Sequence, residues 1–181
     1  DYQPSRGLGD VYKRQGVSPD VVMVAKALGN GVPIGACLAK GDAAHVLEAG
    51  MHGSTFGGNF LSTAVGLKIL DIMRDNQLCQ HVSKISKIMS DYMTKKIQPL
   101  SNVQDIRICG MMIGIELKKP CPDLVIKALD KGLVMNVTKE KVIRLLPPLI
   151  CQEKDVLMIV DIVENLISCL LYTSPSPRDG W

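Results

Sequence analysis

The sequence predicts a protein of the α/β class: a sheet-and-helix block over residues 16–75, followed by a small α+β domain over residues 76–170. The first observation behind this prediction is the continuous apolar run Val21–Ala25, which is typical of a strand buried on both faces of a parallel sheet. The second is the apolar residue at every second position of Met111–Leu117, which indicates a strand with one buried face. Apolar stripes at helical spacing in the segments around these strands supply the third.

The first block combines two short strands with one helix. Val21–Ala25 is followed by a turn at Gly29-Asn30-Gly31, since these residues tolerate positive φ, and Ile34–Ala39 is a second apolar stretch. His52–Asn59 (HGSTFGGN) is a loop of small residues that opens into a helix. The predicted apolar face of that helix consists of Leu61, Val65, Ile69, Ile72 and Met73.

The second block alternates helices and strands. Its first helix has an apolar stripe and is followed by Pro99, and a later helix is opened by Pro122 and closed by Gly132. A final amphipathic helix extends to about Leu170. The stripe of the first helix is Leu78, Val82, Ile85, Met89 and Tyr92, and the predicted strands are Val103–Ile108, Met111–Leu117, Leu133–Val137 and Val142–Leu146.

Composition argues against several classes of protein. The formal charge is +3 and basic residues are scattered among acidic ones, which gives no case for a nucleic acid partner. No apolar run is long enough to cross a bilayer, so a membrane partner is not expected. The six cysteines form no C-x-x-C pair and no metal-ligand cluster is visible, which favours a reduced, cytoplasmic protein without a metal.

The two ends differ in composition from the rest. Residues 1–15 (DYQPSRGLGDVYKRQ) and 171–181 (LYTSPSPRDGW) are polar, rich in proline or arginine, and without periodicity. Both resemble translated sequencing-adapter read-through, and we therefore interpret them as non-native. A pair of ordinary disordered tails is the alternative.

Lys26 is the first candidate for chemistry. It follows an apolar strand, the place where open α/β sheets bind ligands. Partial desolvation there would make its amine a better nucleophile toward an aldehyde. The alternative is a lysine that extends from a strand end into water.

The loop His52–Asn59 is the second candidate. Ser54 and Thr55 supply hydroxyls beside backbone N–H groups and a helix N-terminus, a combination that holds phosphate. A glycine-rich turn in which one of these hydroxyls caps the helix explains the loop equally well.

Arg144 is the third candidate. It lies in the apolar strand Val-Ile-Arg-Leu-Leu, where a guanidinium needs a planar partner such as the carboxylate of a substrate. A salt bridge to a carboxylate such as Glu116, or exposure on an edge strand, is the alternative.

Four motifs in order carry a resemblance to a known family: PDVVMVAKALGNGVPIGACLAKG, HGSTFGGN, IRICGMMIGIEL and VIRLLPPL. Together they resemble the acetylornithine aminotransferases, a branch of the fold-type I pyridoxal-phosphate enzymes. The resemblance implies that residues 16–75 are the C-terminal part of the cofactor-binding large domain and that residues 76–170 are the small domain.

The resemblance also implies roles for individual residues and partners. Lys26 matches the lysine that forms the Schiff base with pyridoxal 5'-phosphate, and Thr55 matches the threonine that binds the cofactor phosphate across a dimer interface. Ser54 lies beside Thr55 near the substrate, and Arg144 matches the arginine that binds the α-carboxylate. The implied substrates are an amino acid and a 2-oxo acid, and the implied assembly is a homodimer.

The family's remaining cofactor-binding residues would lie upstream of Gly16. The resemblance therefore implies a C-terminal fragment that is inactive alone. The amino donor stays open between acetylornithine and the ornithine, succinylornithine or 4-aminobutyrate of related enzymes, and a non-catalytic paralogue is the rival from another class.

Overall fold

A computed structural model of the chain describes Gly16 and residues 18–170. The two terminal segments that resemble adapter sequence, 1–15 and 171–181, lie outside the described residues. Contacts divide the chain into two units, with the division between Asn76 and Gln77.

The first unit contains a two-stranded sheet and one long helix. Strand β1 (Val21–Ala25) runs directly into a 3-10 turn at Lys26–Leu28, and strand β2 is Gly35–Ala39. A second 3-10 turn spans Gly41–His45, and helix α1 is Phe60–Asp75. The strands pair antiparallel over their whole length, so that the two ends of β1 lie opposite the two ends of β2.

The expectation that Val21–Ala25 is buried on both faces of a parallel sheet is wrong for the described part of the chain. β1 has one neighbour there, β2, and the pair is antiparallel. Met23 is 76% exposed, and only Val22 within β1 is half-buried. An apolar strand that would suit a sheet interior therefore has its faces largely open among these residues.

Helix α1 begins where the sequence predicts, because Asn59 caps it. The Asn59 side chain accepts a hydrogen bond from the backbone N–H of Ser62 at 2.9 Å, which satisfies one unpaired donor of the first turn. Ser62 and Gly66 are the buried residues of the helix. Its predicted apolar stripe is incompletely covered, since Leu61 remains 72% exposed.

The second unit is an α+β structure with a four-stranded antiparallel sheet in the order β3-β4-β6-β5. The predicted strand beginning at Leu133 starts later, at Asn136, where pairing with β6 begins. In chain order the elements are α2 (Leu78–Lys96), β3 (Val103–Cys109), β4 (Met112–Leu117), α3 (Leu124–Asp130), β5 (Asn136–Thr138), β6 (Val142–Leu145) and α4 (Glu153–Leu170).

The hydrophobic core lies in this second unit. The alternation in Met111–Leu117 is confirmed, because the residues at 111, 113, 115 and 117 are all buried. Helices α2 and α4 close the core, with Met89 and Met93 from α2 and Val160 from α4 fully buried. One face of the sheet is thereby covered, and the side chains that alternate with the core residues project from the other.

Candidate functional site

Lys26 lies at the junction between β1 and the 3-10 turn, with a backbone conformation unusual for lysine. Its φ is +55°, in the left-handed region, while Ala25 before it is extended. The Lys26 carbonyl accepts a hydrogen bond from the N–H of Gly29 at 3.1 Å. The side chain is exposed, so the expected partial desolvation is wrong for the described residues, because the faces of the two-stranded sheet are open.

The loop before α1 exposes the hydroxyls of Ser54 and Thr55. Neither hydroxyl forms a hydrogen bond with any residue in the described part of the chain. The backbone folds into a turn in which the Gly57 N–H donates to the Ser54 carbonyl at 3.2 Å. A Cβ at Gly57 would lie 3.3 Å from the Ser54 hydroxyl oxygen, so glycine leaves space around that hydroxyl.

The helix cap in this loop is Asn59 rather than Ser54 or Thr55. The Asn59 carboxamide also donates to the Phe56 carbonyl at 2.9 Å, which closes the loop on itself. The alternative interpretation of the loop, with a hydroxyl as the cap, is therefore wrong. A hollow of about 380 Å³ opens beside Ser54, Asn59 and Thr63, and neither Lys26 nor Thr55 is among the residues that line it.

Arg144 lies on β6 in the second unit, on the open face of the sheet. Its neighbours Ile143 and Leu145 are buried, whereas Arg144 is exposed. Its side chain forms no hydrogen bond or ion pair with any other described residue. Arg144 and Thr138 help to line a shallow hollow of about 270 Å³ on this face. The interpretation of Arg144 as the partner of Glu116 is wrong.

Glu116 instead binds two other cations. Its carboxylate is 3.1 Å from the guanidinium of Arg107 and 3.0 Å from the Lys141 amine, while Arg107 also contacts Asp105 at 2.8 Å. Hydrogen bonds from Lys141 first, and then from Arg107, lower the pKa of Glu116 from its ordinary value. This network was not anticipated from the sequence, because it depends on the register of three strands.

The structure thus groups the candidate residues by unit. Lys26, Ser54 and Thr55 lie in the first unit, on a strand end and on the loop that precedes α1. Arg144 lies in the second. Among the described residues, no group of three or more His, Cys, Asp or Glu is arranged to hold a metal ion, and no helix is both long and apolar enough to cross a membrane.

A family model described as "Aminotransferase class-III" matches residues 9–167. The chain therefore belongs to the class-III aminotransferases, and its mixed helix-and-sheet structure is that of fold-type I aminotransferases. The match begins inside the N-terminal segment that we interpreted as adapter sequence.

Curated relatives carry the name acetylornithine aminotransferase. The protein of Nitrosomonas europaea is 44% identical over 160 residues, which are 88% of this chain and 41% of that protein. The protein of Aquifex aeolicus is 38% identical over 156 residues, or 86% of this chain and 40% of the relative. The chain thus spans about two fifths of the length of the curated relatives that it matches.

Solved structures resemble this one over most of its length. The acetylornithine aminotransferase of Elizabethkingia anophelis matches with a TM-score of 0.79 at 31% identity, over 86% of this chain and 42% of that one. The ornithine aminotransferase of Toxoplasma gondii matches with a TM-score of 0.83 at 26% identity, over 90% of this chain and 40% of that one.

Proposed function

We propose that the whole protein carrying this chain is a pyridoxal-phosphate-dependent aminotransferase that transfers the terminal amino group of N-acetylornithine to 2-oxoglutarate, in arginine biosynthesis. The names of the relatives support this reaction, and so does one observation on the chain itself. The Lys26 amine, the Ser54 and Thr55 hydroxyls and the Arg144 guanidinium are all exposed and without side-chain partners among the described residues. Each is therefore available to a ligand.

These groups fit pyridoxal 5'-phosphate and its amino-acid substrates. A primary amine is the group that binds an aldehyde covalently, and a hydroxyl-bearing loop at a helix N-terminus suits a phosphate. A planar guanidinium suits a carboxylate. The space that Gly57 leaves around the Ser54 hydroxyl is consistent with a ligand approaching this loop. When bound, the cofactor supplies an electron sink for the carbon from which a proton is removed.

Lys26 would hold the cofactor through its Nζ atom. When it is not engaged in holding the cofactor, the Nζ atom would accept the proton from the substrate carbon and deliver it again. Kinetics should be ping-pong, because the carbonyl product of the amino donor leaves, with the amino group retained by the holoenzyme, before the 2-oxo acid binds.

Thr55 would bind the cofactor phosphate, with Ser54 beside it near the substrate. The two hydroxyls are adjacent, and Thr55 does not line the hollow beside Ser54. We further propose that the whole protein is a homodimer in which Thr55 serves the cofactor bound to the partner subunit.

Arg144 would bind the α-carboxylate of both substrates. Its position on the open sheet face leaves the planar guanidinium accessible, and two parallel N–H groups can donate to the two carboxylate oxygens. The neighbouring cations Arg107 and Lys141 are already engaged by Glu116, so they compete less for the same anion.

An ornithine aminotransferase is the second candidate. The structural match to the ornithine aminotransferase of Toxoplasma gondii favours it, although the sequence identity there is 26%, against 44% with the Nitrosomonas relative. Succinylornithine and 4-aminobutyrate are further possible donors. Comparing kcat/KM for acetylornithine with kcat/KM for each of the other amines separates these enzymes.

The cytoplasm is the proposed location. Cys37, Cys79, Cys121, Cys151 and Cys169 form no disulfide among the described residues, which suits a reducing compartment. No nucleic acid partner is proposed, in line with the small net charge of +3.

The decisive experiment is Lys26→Ala in the whole protein. We expect kcat for transamination to fall by about 10³-fold or more, because the group that holds the cofactor and moves the proton is removed. Lys68→Ala is the matched control, since Lys68 is an exposed lysine of the same unit without a side-chain partner among the described residues. Full activity in the Lys26 variant would leave the non-catalytic paralogue as the better interpretation.

A further inference from the structure

Gly29 is buried at the centre of the turn that carries Lys26, although most residues around it are exposed. Its N–H donates to the Lys26 carbonyl at 3.1 Å, and its own carbonyl accepts from the N–H of Val32 at 3.0 Å. Gly29 therefore connects the two halves of the turn through both of its backbone polar groups.

No side chain fits at this position. A Cβ built on Gly29 would overlap the backbone carbonyl oxygen of Val32 and lie 2.7 Å from the Cγ2 atom of Ile34. The first of these atoms belongs to the backbone and cannot rotate away. The φ of Gly29 is −102°, which any residue adopts, so the requirement for glycine comes from space and not from the backbone angle.

Helix α1 supports the same turn from the other side of Ile34. A Cβ at Gly66 would lie 3.4 Å from the Cδ1 atom of Ile34 and 3.6 Å from the carbonyl oxygen of Leu28. The Cγ2 atom of Ile34 thus lies beside Gly29 and its Cδ1 atom beside Gly66, while the half-buried side chain also borders the hollow near Ser54.

From this geometry we propose that Gly29 is a positioning residue for Lys26. Because Gly29 has no side chain, the Val32 carbonyl and Ile34 pack against it without a clash. This packing fixes the turn in which Lys26 has its left-handed backbone conformation. The turn in turn fixes the direction from which the Lys26 amine reaches its ligand. This inference rests on the proposed function of Lys26. It adds a residue without a side chain, which acts through the backbone of Lys26.

The test measures how fast Lys26 condenses with pyridoxal 5'-phosphate in the whole protein. The cofactor aldehyde and a lysine amine form a carbon–nitrogen double bond with loss of water, and hydride from cyanoborohydride then converts that bond to a stable secondary amine. Mass spectrometry of the peptides gives the labelling rate at each lysine. The ratio of Lys26 to Lys40, an exposed lysine of the same unit, is the quantity compared between variants.

We expect Gly29→Ala to lower this ratio roughly tenfold or more, because a misplacement of about 1 Å is enough to slow a reaction strongly. Gly35→Ala is the matched control: it lies opposite Ala25 on β2, and its Cβ would be 3.7 Å from the nearest atom, an ordinary contact. The control should keep the wild-type ratio. An unchanged ratio in Gly29→Ala, with wild-type Lys26 selectively labelled, overturns the positioning role and leaves the proposed function intact.

Wild-type protein without preferential labelling at Lys26 overturns the proposed function, and the positioning role with it. If Gly29→Ala fails to fold, Ile34→Ala carries the test, since it removes the side chain that packs beside Gly29 and adds no atom. A lowered ratio in that variant supports the positioning role. A wild-type ratio in Ile34→Ala contradicts it.

Discussion

Two arginines on the open sheet face of the second unit differ in what surrounds them. Arg107 on β3 and Arg144 on β6 both lie opposite Gly114, the strand between them contributing no side chain at that point. Arg107 is bound by Asp105 and Glu116, whereas Arg144 has no side-chain partner among the described residues. The charge of Arg144 is therefore the more available to an incoming carboxylate.

Arg144→Gln in the whole protein should raise KM for both the amino acid and the 2-oxo acid roughly tenfold to hundredfold, because charged hydrogen bonds contribute about 1.5–3 kcal/mol each. Steady-state kinetics with both substrates provide the measurement. Arg107→Gln is the matched control, and KM should change little, since its carboxylate partners already occupy that guanidinium. Equal effects of the two variants would argue against a specific carboxylate site at Arg144.

For single residues, the sequence predicts which side chains are candidates for the site, but it does not predict which side chains they contact. Arg144 was recognisable as an arginine among apolar neighbours, and its exposure on one face of β6 follows from strand alternation. Its suggested pairing with Glu116 failed, because a pairing across strands depends on register, and β6 brings Lys141 rather than Arg144 to Glu116. Lys26 was recognised through its motif, but its left-handed backbone was not.

One ionic network links strands β3 and β4 to the residue that directly precedes β6. Glu116 of β4 contacts Arg107 of β3 and Lys141, which directly precedes β6. The Glu116 side chain is 18% exposed and its partners are 40% or more exposed, so solvent screens the interaction but does not abolish it.

This network predicts an acid-dependent loss of stability. Lys141 and Arg107 lower the pKa of Glu116 from an ordinary value of 4.5. The ionised carboxylate therefore stabilises the folded state above that pH, and this stabilisation is lost as pH falls through the lower pKa of the folded state. Glu116→Gln should therefore flatten the decline in the free energy of unfolding below about pH 4.5. Urea unfolding of the second unit at a series of pH values measures the slope.

Glu140→Gln serves as the comparison, because Glu140 is exposed and its side chain has no partner among the described residues. That variant should keep the wild-type slope. If both variants have the same slope as the wild type, the Glu116 network does not contribute to acid stability.

A second set of contacts joins α2 to α4. The hydroxyl of Tyr92 donates to Asp161 at 2.8 Å, and the amine of Lys96 is 3.3 Å from Glu164 and 5.6 Å from the centre of the Tyr92 ring. The Asp161 hydrogen bond raises the pKa of Tyr92, and the Glu164 hydrogen bond raises the pKa of Lys96. The contributions of these two hydrogen bonds to the free energy of unfolding are present at neutral pH. They are lost only as pH rises through the raised pKa values of Tyr92 and Lys96.

Element prediction succeeded where the pattern depends on local periodicity. The helices and the β4 alternation follow from spacing and burial, because one covered face imposes a repeat on the sequence. The direction of pairing in β1 could not be obtained this way, since a continuous apolar run indicates burial and carries no information on the neighbouring strand. In the described residues that run pairs antiparallel with β2.

Among the residues that the structure describes, burial is distributed very unequally between the two units. The residues of the hydrophobic core all lie in the second unit, where each of its principal elements contributes. Within residues 18–76, only Gly29, Ser62 and Gly66 are buried, and apolar side chains such as Phe60 and Met23 are more than three quarters exposed. Apolar burial is the main stabilising contribution in folding, so the first unit gains much less of it.

This difference predicts that the second unit of the purified 181-residue chain is folded. It also predicts that the same chain has no transaminase activity. The turn at Lys26 and the loop at Thr55 lie in the unit with little buried apolar surface, so their conformations should open readily and hold the cofactor poorly. Hydrogen exchange should be fast for β1, β2 and α1 and slow for β4 and α4. The assay is formation of glutamate from acetylornithine and 2-oxoglutarate with pyridoxal 5'-phosphate supplied. Measurable turnover that is lost in Lys26→Ala would contradict the prediction, because the exposed unit would then suffice to build a working site.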